Sequence, residues 1–104
     1  MLTSETQYQQ FPNIALLLGG YFHPDWLQEF GHSDAAVEQF VTTNVRETRD
    51  AIPELDVLLL NLDADLDSVL DRFLCNYWPQ ADGISPRDWL TQLRDRFTTA
   101  TSLA

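Results

Sequence analysis

The feature that most constrains this chain is a helical spacing of apolar residues that recurs along its length. Ile14, Leu17, Leu18, Tyr21 and Phe22 stand at i, i+3, i+4, i+7 and i+8. Leu66, Val69, Leu70, Phe73, Leu74 and Tyr77 repeat the same spacing one turn further. Residues so placed line one face of a helix and must bury it against other helices. No segment sustains the period-two alternation of a half-buried strand. The expectation is an all-α fold, a single compact bundle of about five helices.

Helix boundaries follow from the punctuating residues. Pro12 suits a first helical turn, and Pro24 ends the first helix because the residue before a proline avoids helical backbone. Ser33 reads as an N-cap with Asp34 complementing the dipole, ahead of the stripe Val37, Phe40 and Val41. Asn44 reads as the cap of a third helix carrying Val45, Thr48, Ile52, Leu55 and Leu59. Pro53 falls inside that helix, where proline costs about 3 kcal/mol, so a kink or restart is expected. Pro79 and Gly83 mark a loop after the fourth helix. Ser85, Pro86 and Asp88 form an N-cap, a first-turn proline and a capping-box acid. They open a last helix through Trp89, Leu90, Leu93 and Phe97. Residues 1–10 are polar and read as a flexible N-terminal segment, leaving 11–104 as one helical domain.

At 104 residues, folding buries roughly 60–70% of the unfolded surface, enough for one core. Hydrophobic residues make up 44% of the chain, so disorder is not expected. The charge is unusual: 16 acidic residues against six basic ones, all arginine, for a formal net charge of −10. That argues against a nucleic-acid backbone or an anionic membrane as partner. It suits a basic protein surface, although acidity also simply keeps a protein soluble. The lone Cys75 permits no internal disulfide, no apolar run approaches the ~18 residues of a membrane span, and no secretory signal is evident. A soluble cytoplasmic protein is expected.

Two stretches carry a resemblance. Gly19-Gly20-Tyr21-Phe22-His23-Pro24-Asp25-Trp26 is similar to the Gly-Gly-Tyr-Phe-His-x-Asp-Trp segment of the immunity proteins of contact-dependent growth inhibition systems. Cys75-Asn76-Tyr77, followed by Pro79, Asp82-Gly83 and Trp89-Leu90, resembles a second stretch of the same family. Such a resemblance implies a cytoplasmic, non-enzymatic protein that binds the cognate toxin domain at the C-terminus of a large secreted adhesin. It implies a heterodimer, with no cofactor. Pro53 departs from the plain helix that the family carries there.

The residues of the first stretch have a structural account. The glycines remove bulk so that another helix can approach, Asp25 caps the turn, Trp26 closes one end of the core, and His23 hydrogen-bonds within the turn. A metal site from His23, Asp25, Glu29 and His32 fits no standard spacing. Cys75 reads as a small core residue.

The best candidates for partner binding are Glu54, Asp56, Asp63, Asp65, Asp67 and Asp71, with Trp78 as an aromatic anchor. Asp63, Asp65 and Asp67 resemble the start of a calcium loop, but Ser68 replaces the glycine of the sixth position and Leu74 the glutamate of the twelfth. Asp63, Asp67 and Asp71 instead share one helix face, where like charges cost about 0.2–0.5 kcal/mol per pair. A face that opposes its own helix points to an external cation, such as the arginines and lysines of a nuclease cleft, although a solvated acidic face remains open. Two further function classes remain: an acidic helical adaptor or nucleic-acid mimic bound to a basic regulatory protein, and a small enzyme. No nucleophile–base pair supports the enzyme.

Overall fold

A computed structural model describes residues 11–60, 70, 73 and 75–102. Among them are five α-helices and no strand. Helix α1 (Pro12–Ala15) runs directly into a π-helical turn (Leu16–Tyr21). Then come α2 (Trp26–Phe30), α3 (Ser33–Thr43) and α4 (Val45–Leu60). A 3-10 turn (Pro79–Asp82) leads into α5 (Pro86–Ser102). The expected all-α bundle is what forms. Residues 1–10, and most of the helix expected from Leu66 through Leu74, lie outside the described residues.

Helices α4 and α5 pack against each other along their lengths, and α1 lies across α4. One apolar cluster joins them through Ile14, Leu17, Leu18, Phe40, Leu55 and Phe97, all fully buried. The stripe of α4 is turned slightly from the expected one. Thr48, Ala51, Leu55 and Leu58 are buried, Ile52 and Leu59 only partly, and Val45 is exposed. Thr48 enters the core because its hydroxyl donates to the Asn44 carbonyl at 2.7 Å, so no polar atom is left unpaired.

Several boundaries differ from the sequence expectation. The N-cap of α3 is His32, not Ser33: the His32 Nδ1 accepts the Ala35 amide at 3.2 Å. Asn44 does stand between α3 and α4. Its side-chain amide donates to the Tyr21 hydroxyl at 2.7 Å, tying the joint to the first helix. Pro53 neither breaks nor restarts α4, which is assigned as one helix from Val45 to Leu60. The reason is position: Pro53 is exposed, so the backbone bond it gives up faces water. The last helix opens as expected, with the Asp88 amide donating to Ser85 Oγ at 3.1 Å.

Helix α1 begins with a proline, which has no N–H. Its next two amides, of Asn13 and Ile14, donate to the Glu54 carboxylate at 3.1 and 2.9 Å, and Asn13 Nδ2 adds a bond of 2.6 Å. A side chain of α4 therefore caps α1 across 41 residues of sequence. Replacing Glu54 with alanine should destabilise the fold by about 1–3 kcal/mol, and glutamine should recover part of that. Urea denaturation of the two variants checks it. A loss under about 0.5 kcal/mol for alanine would show that water substitutes for the carboxylate.

Candidate partner-binding surface

The two sequence stretches that carry the family resemblance meet in space. The Phe22 carbonyl accepts two bonds from Asn76, from its backbone amide at 2.9 Å and its side-chain amide at 3.1 Å. Trp26 Nε1 returns a bond to the Asn76 carbonyl at 3.0 Å. Periodicity extends the fourth helix to Tyr77, but 75–78 are not helical. The Asn76 amide bonds across to Phe22 rather than back along a helix. Burial then alternates as in an extended strand: Cys75 and Tyr77 point in, Asn76 and Trp78 out. Cys75 is a buried thiol whose Sγ lies 3.5 Å from the Tyr77 carbonyl oxygen.

Adjacent residues of the first stretch serve two aromatic groups. Tyr21 stacks on Phe30 and meets Phe40 edge-on, while Phe22 packs among Trp26, Tyr77 and Trp89 with centroids 5.3–5.5 Å away. Such pairs add about 0.5–1.5 kcal/mol each beyond burial. The π-helical turn lies immediately before this split, with the Phe22 amide reaching back five residues to Leu17. Gly20 does not serve close helix approach. A methyl group there would meet only Leu16 Cδ1, at an ordinary 3.5 Å. Asp25 makes no side-chain cap. His23 takes that role: its Nδ1 accepts the Asp25 amide at 3.1 Å, which leaves the proton on Nε2 to donate to Glu29 at 2.6 Å. Neither ring nitrogen is left open to a metal, and His32 Nδ1 is likewise engaged.

An open cleft beside this junction is lined by Ser33, Asp34, Tyr77, Asp82 and Trp89. The Tyr77 hydroxyl donates to Asp82 at 2.7 Å. Burial pushes its pKa up to about 12, and the Asp82 carboxylate adds to the shift while the Ser33 hydroxyl opposes it.

The acidic candidates divide into two sets. Glu54 is the cap of α1. Asp56 is ion-paired with Arg94 of α5 and raises the pKa of that guanidinium. Asp63, Asp65, Asp67 and Asp71 lie outside the described residues. Trp78 is 59% exposed, unlike the other two tryptophans, which are largely covered by the aromatic group.

A family model described as CdiI immunity protein matches residues 10–97. The chain belongs to that family. The match spans both stretches that meet at Phe22 and Asn76, and runs through most of α5. No curated protein and no solved structure matches the chain. As a CdiI immunity protein it is a toxin-neutralising protein, with a cognate contact-dependent growth inhibition toxin as its binding partner. Among the described residues, no helix of this immunity protein is long and apolar enough to cross a membrane.

Sequence reasoning missed the exposed apolar residues of α4, Val57 and Leu60, because a helical stripe does not reveal which of its neighbours a second helix will cover. It also missed that Glu54 and Asp56 have partners within the chain, since those partners lie 38 or more residues away.

The junction carries a pH signature. The folded pKa of Tyr77 is raised above the usual value near 10, so its stabilisation is complete below pH 10 and is lost as pH climbs through about 12. Tyr77→Phe should cost about 1 kcal/mol at neutral pH. The gap to wild type should narrow between pH 10 and 11.5 in paired urea melts. A gap that stays constant would mean that Tyr77 ionises equally in both states.

Proposed function

We propose that this immunity protein blocks a nuclease toxin by covering its basic cleft, with Asp63, Asp65, Asp67 and Asp71 facing the cleft and Trp78 seated beside it. The toxin is the C-terminal domain of a large secreted adhesin, and the two form a heterodimer in the cytoplasm of the protected cell. No catalytic step or cofactor is involved.

The observation that carries this reading is the charge imbalance. The net charge is −10, yet much of the basic complement is already committed: Arg94 to Asp56 and Asp95, and Arg96 to Asp34 and Glu38. A surplus of that sign draws in a cationic surface and speeds its docking. The internal engagement of Glu54 and Asp56 shifts the proposed contact toward Asp63, Asp65, Asp67 and Asp71. Exposed tryptophan is a frequent energetic centre of protein interfaces, which supports Trp78 as the anchor.

Co-expression with the toxin domain encoded immediately upstream should restore growth and yield a complex that co-purifies. Asp67→Lys/Asp71→Lys should slow association about tenfold at low salt and far less at 0.5 M salt, with unchanged thermal melting. Association unaffected at both salt concentrations removes the acidic face from the interface. Failure of a folded product to rescue growth turns the search toward a basic regulatory protein as partner.

A further inference from the structure

The open cleft beside the aromatic junction is built largely from the second signature stretch. Tyr77, Asp82 and Trp89 line one side of it, and Ser33 and Asp34, at the start of α3, line the other. Its volume is about 430 Å³, room for one long side chain. Among the described residues, the two charged side chains lining it are both carboxylates, and no arginine does so. His32 also borders it, but its Nδ1 is occupied by the Ala35 amide.

Neither carboxylate is fully committed within the fold. Asp82 is exposed and is held through one oxygen: its Oδ2 accepts the Tyr77 hydroxyl at 2.7 Å, and Oδ1 has no partner among the described residues. Asp34 has a cation within reach in Arg96, but that contact is 3.4 Å long, and the shorter bond of the arginine, 3.0 Å, goes to Glu38. The Asp34 side chain stays 83% exposed.

The floor of the cleft is a separate feature. The Tyr77 and Trp89 rings lie 5.0 Å apart and are packed in place by Phe22. An acid placed only for solubility needs neither a donor that fixes its orientation nor an aromatic floor beside it. Carboxylates above an aromatic floor match the two parts of an arginine or lysine side chain, a cationic head and an apolar stem. A second copy of this chain fits poorly, because pairing would bring together two molecules of charge −10.

We propose that the cleft of Asp34, Tyr77, Asp82 and Trp89 takes one arginine or lysine side chain of the toxin domain, with the stem over the two rings and the charged head against the two carboxylates. The inference rests on the immunity reading, and it adds a fixed socket to the acidic contact. The test is surface plasmon resonance of the full-length immunity protein on the immobilised toxin domain encoded immediately upstream.

Asp34→Asn/Asp82→Asn removes both charges, while the asparagine oxygen at 82 can still accept the Tyr77 hydroxyl. This variant should dissociate at least about tenfold faster than wild type, at 0.5 M salt as well as at low salt, because a covered charge pair is little screened. Asp50→Asn/Asp88→Asn makes the same change in net charge at exposed sites outside the cleft, and should dissociate within twofold of wild type. Both should melt within a few degrees of wild type. Should the first variant fail to fold, Asp82→Asn alone serves, with a loss of a few fold. Wild-type binding with the cleft variant no faster to dissociate than the control variant overturns the socket and leaves the immunity reading standing. Absence of wild-type binding overturns the immunity reading for that toxin, and this inference with it. A wild-type dimer in sedimentation that the cleft variant abolishes assigns the cleft to a second copy instead.

Discussion

The carbonyl of Phe22 organises the described fold. It ends the π-helical turn, and its two lone pairs both go to Asn76, more than fifty residues further along the chain. This one acceptor holds the 75–78 segment extended, which turns Tyr77 into the aromatic group and Trp78 out to solvent. Trp26 completes the exchange from the other side. The pairing also explains why an asparagine stands at 76. Its side chain supplies a second donor to the same carbonyl and leaves its own backbone carbonyl for the Trp26 indole. Around this point Phe22, Trp26, Tyr77 and Trp89 form a continuous aromatic group at the end of the bundle.

The carboxylates show how a protein so acidic divides its charge between structure and recognition. Glu54 caps α1, Asp56 holds Arg94, and Asp34 and Glu38 share Arg96. The arginine pairs, unlike the Glu54 cap, contribute about 0–1 kcal/mol each and do more to neutralise arginine than to stabilise the fold. Their effect is to leave the remaining acids uncompensated. With a net charge of −10, the field of the molecule at a distance is negative, and it acts before contact. In the proposed complex an apolar group such as Trp78 would act only after contact, through the area it buries. A steering field and an apolar anchor are separate contributions to binding, and in the proposed complex they reside on different residues.

Much of this was legible in the amino-acid sequence alone. Helical periodicity located α1, α3, α4 and α5, and the Ser85-Pro86-x-Asp88 cap located the start of α5 to the residue. These signals are local, since capping bonds and helix faces are set within one or two turns. The family relation was legible too, because the two signature stretches survive as contiguous residues. Readings failed where another group, distant, neighbouring or solvent, took the bond that a local preference had assigned. Periodicity placed Tyr77 on a helix, but Asn76 found a better acceptor in Phe22. Asp25 looked like the turn cap, but its side chain caps nothing, and the His23 ring accepts the Asp25 amide instead. Pro53 reads as a kink or a restart, yet α4 does not restart there, since the exposed proline sits where water can take the lost bond.

Sequence by itself therefore determined the class of fold, the acidic character and the family, because each depends on composition or on neighbours within a few positions. Only the tertiary structure decided which carboxylates are committed, which tryptophan faces solvent, and which half of α4 is left uncovered. Glu54 and Asp56 are indistinguishable from free surface acids until α1 and α5 are brought against α4. Burial and pairing are properties of two segments at once, and no single stretch of sequence carries both.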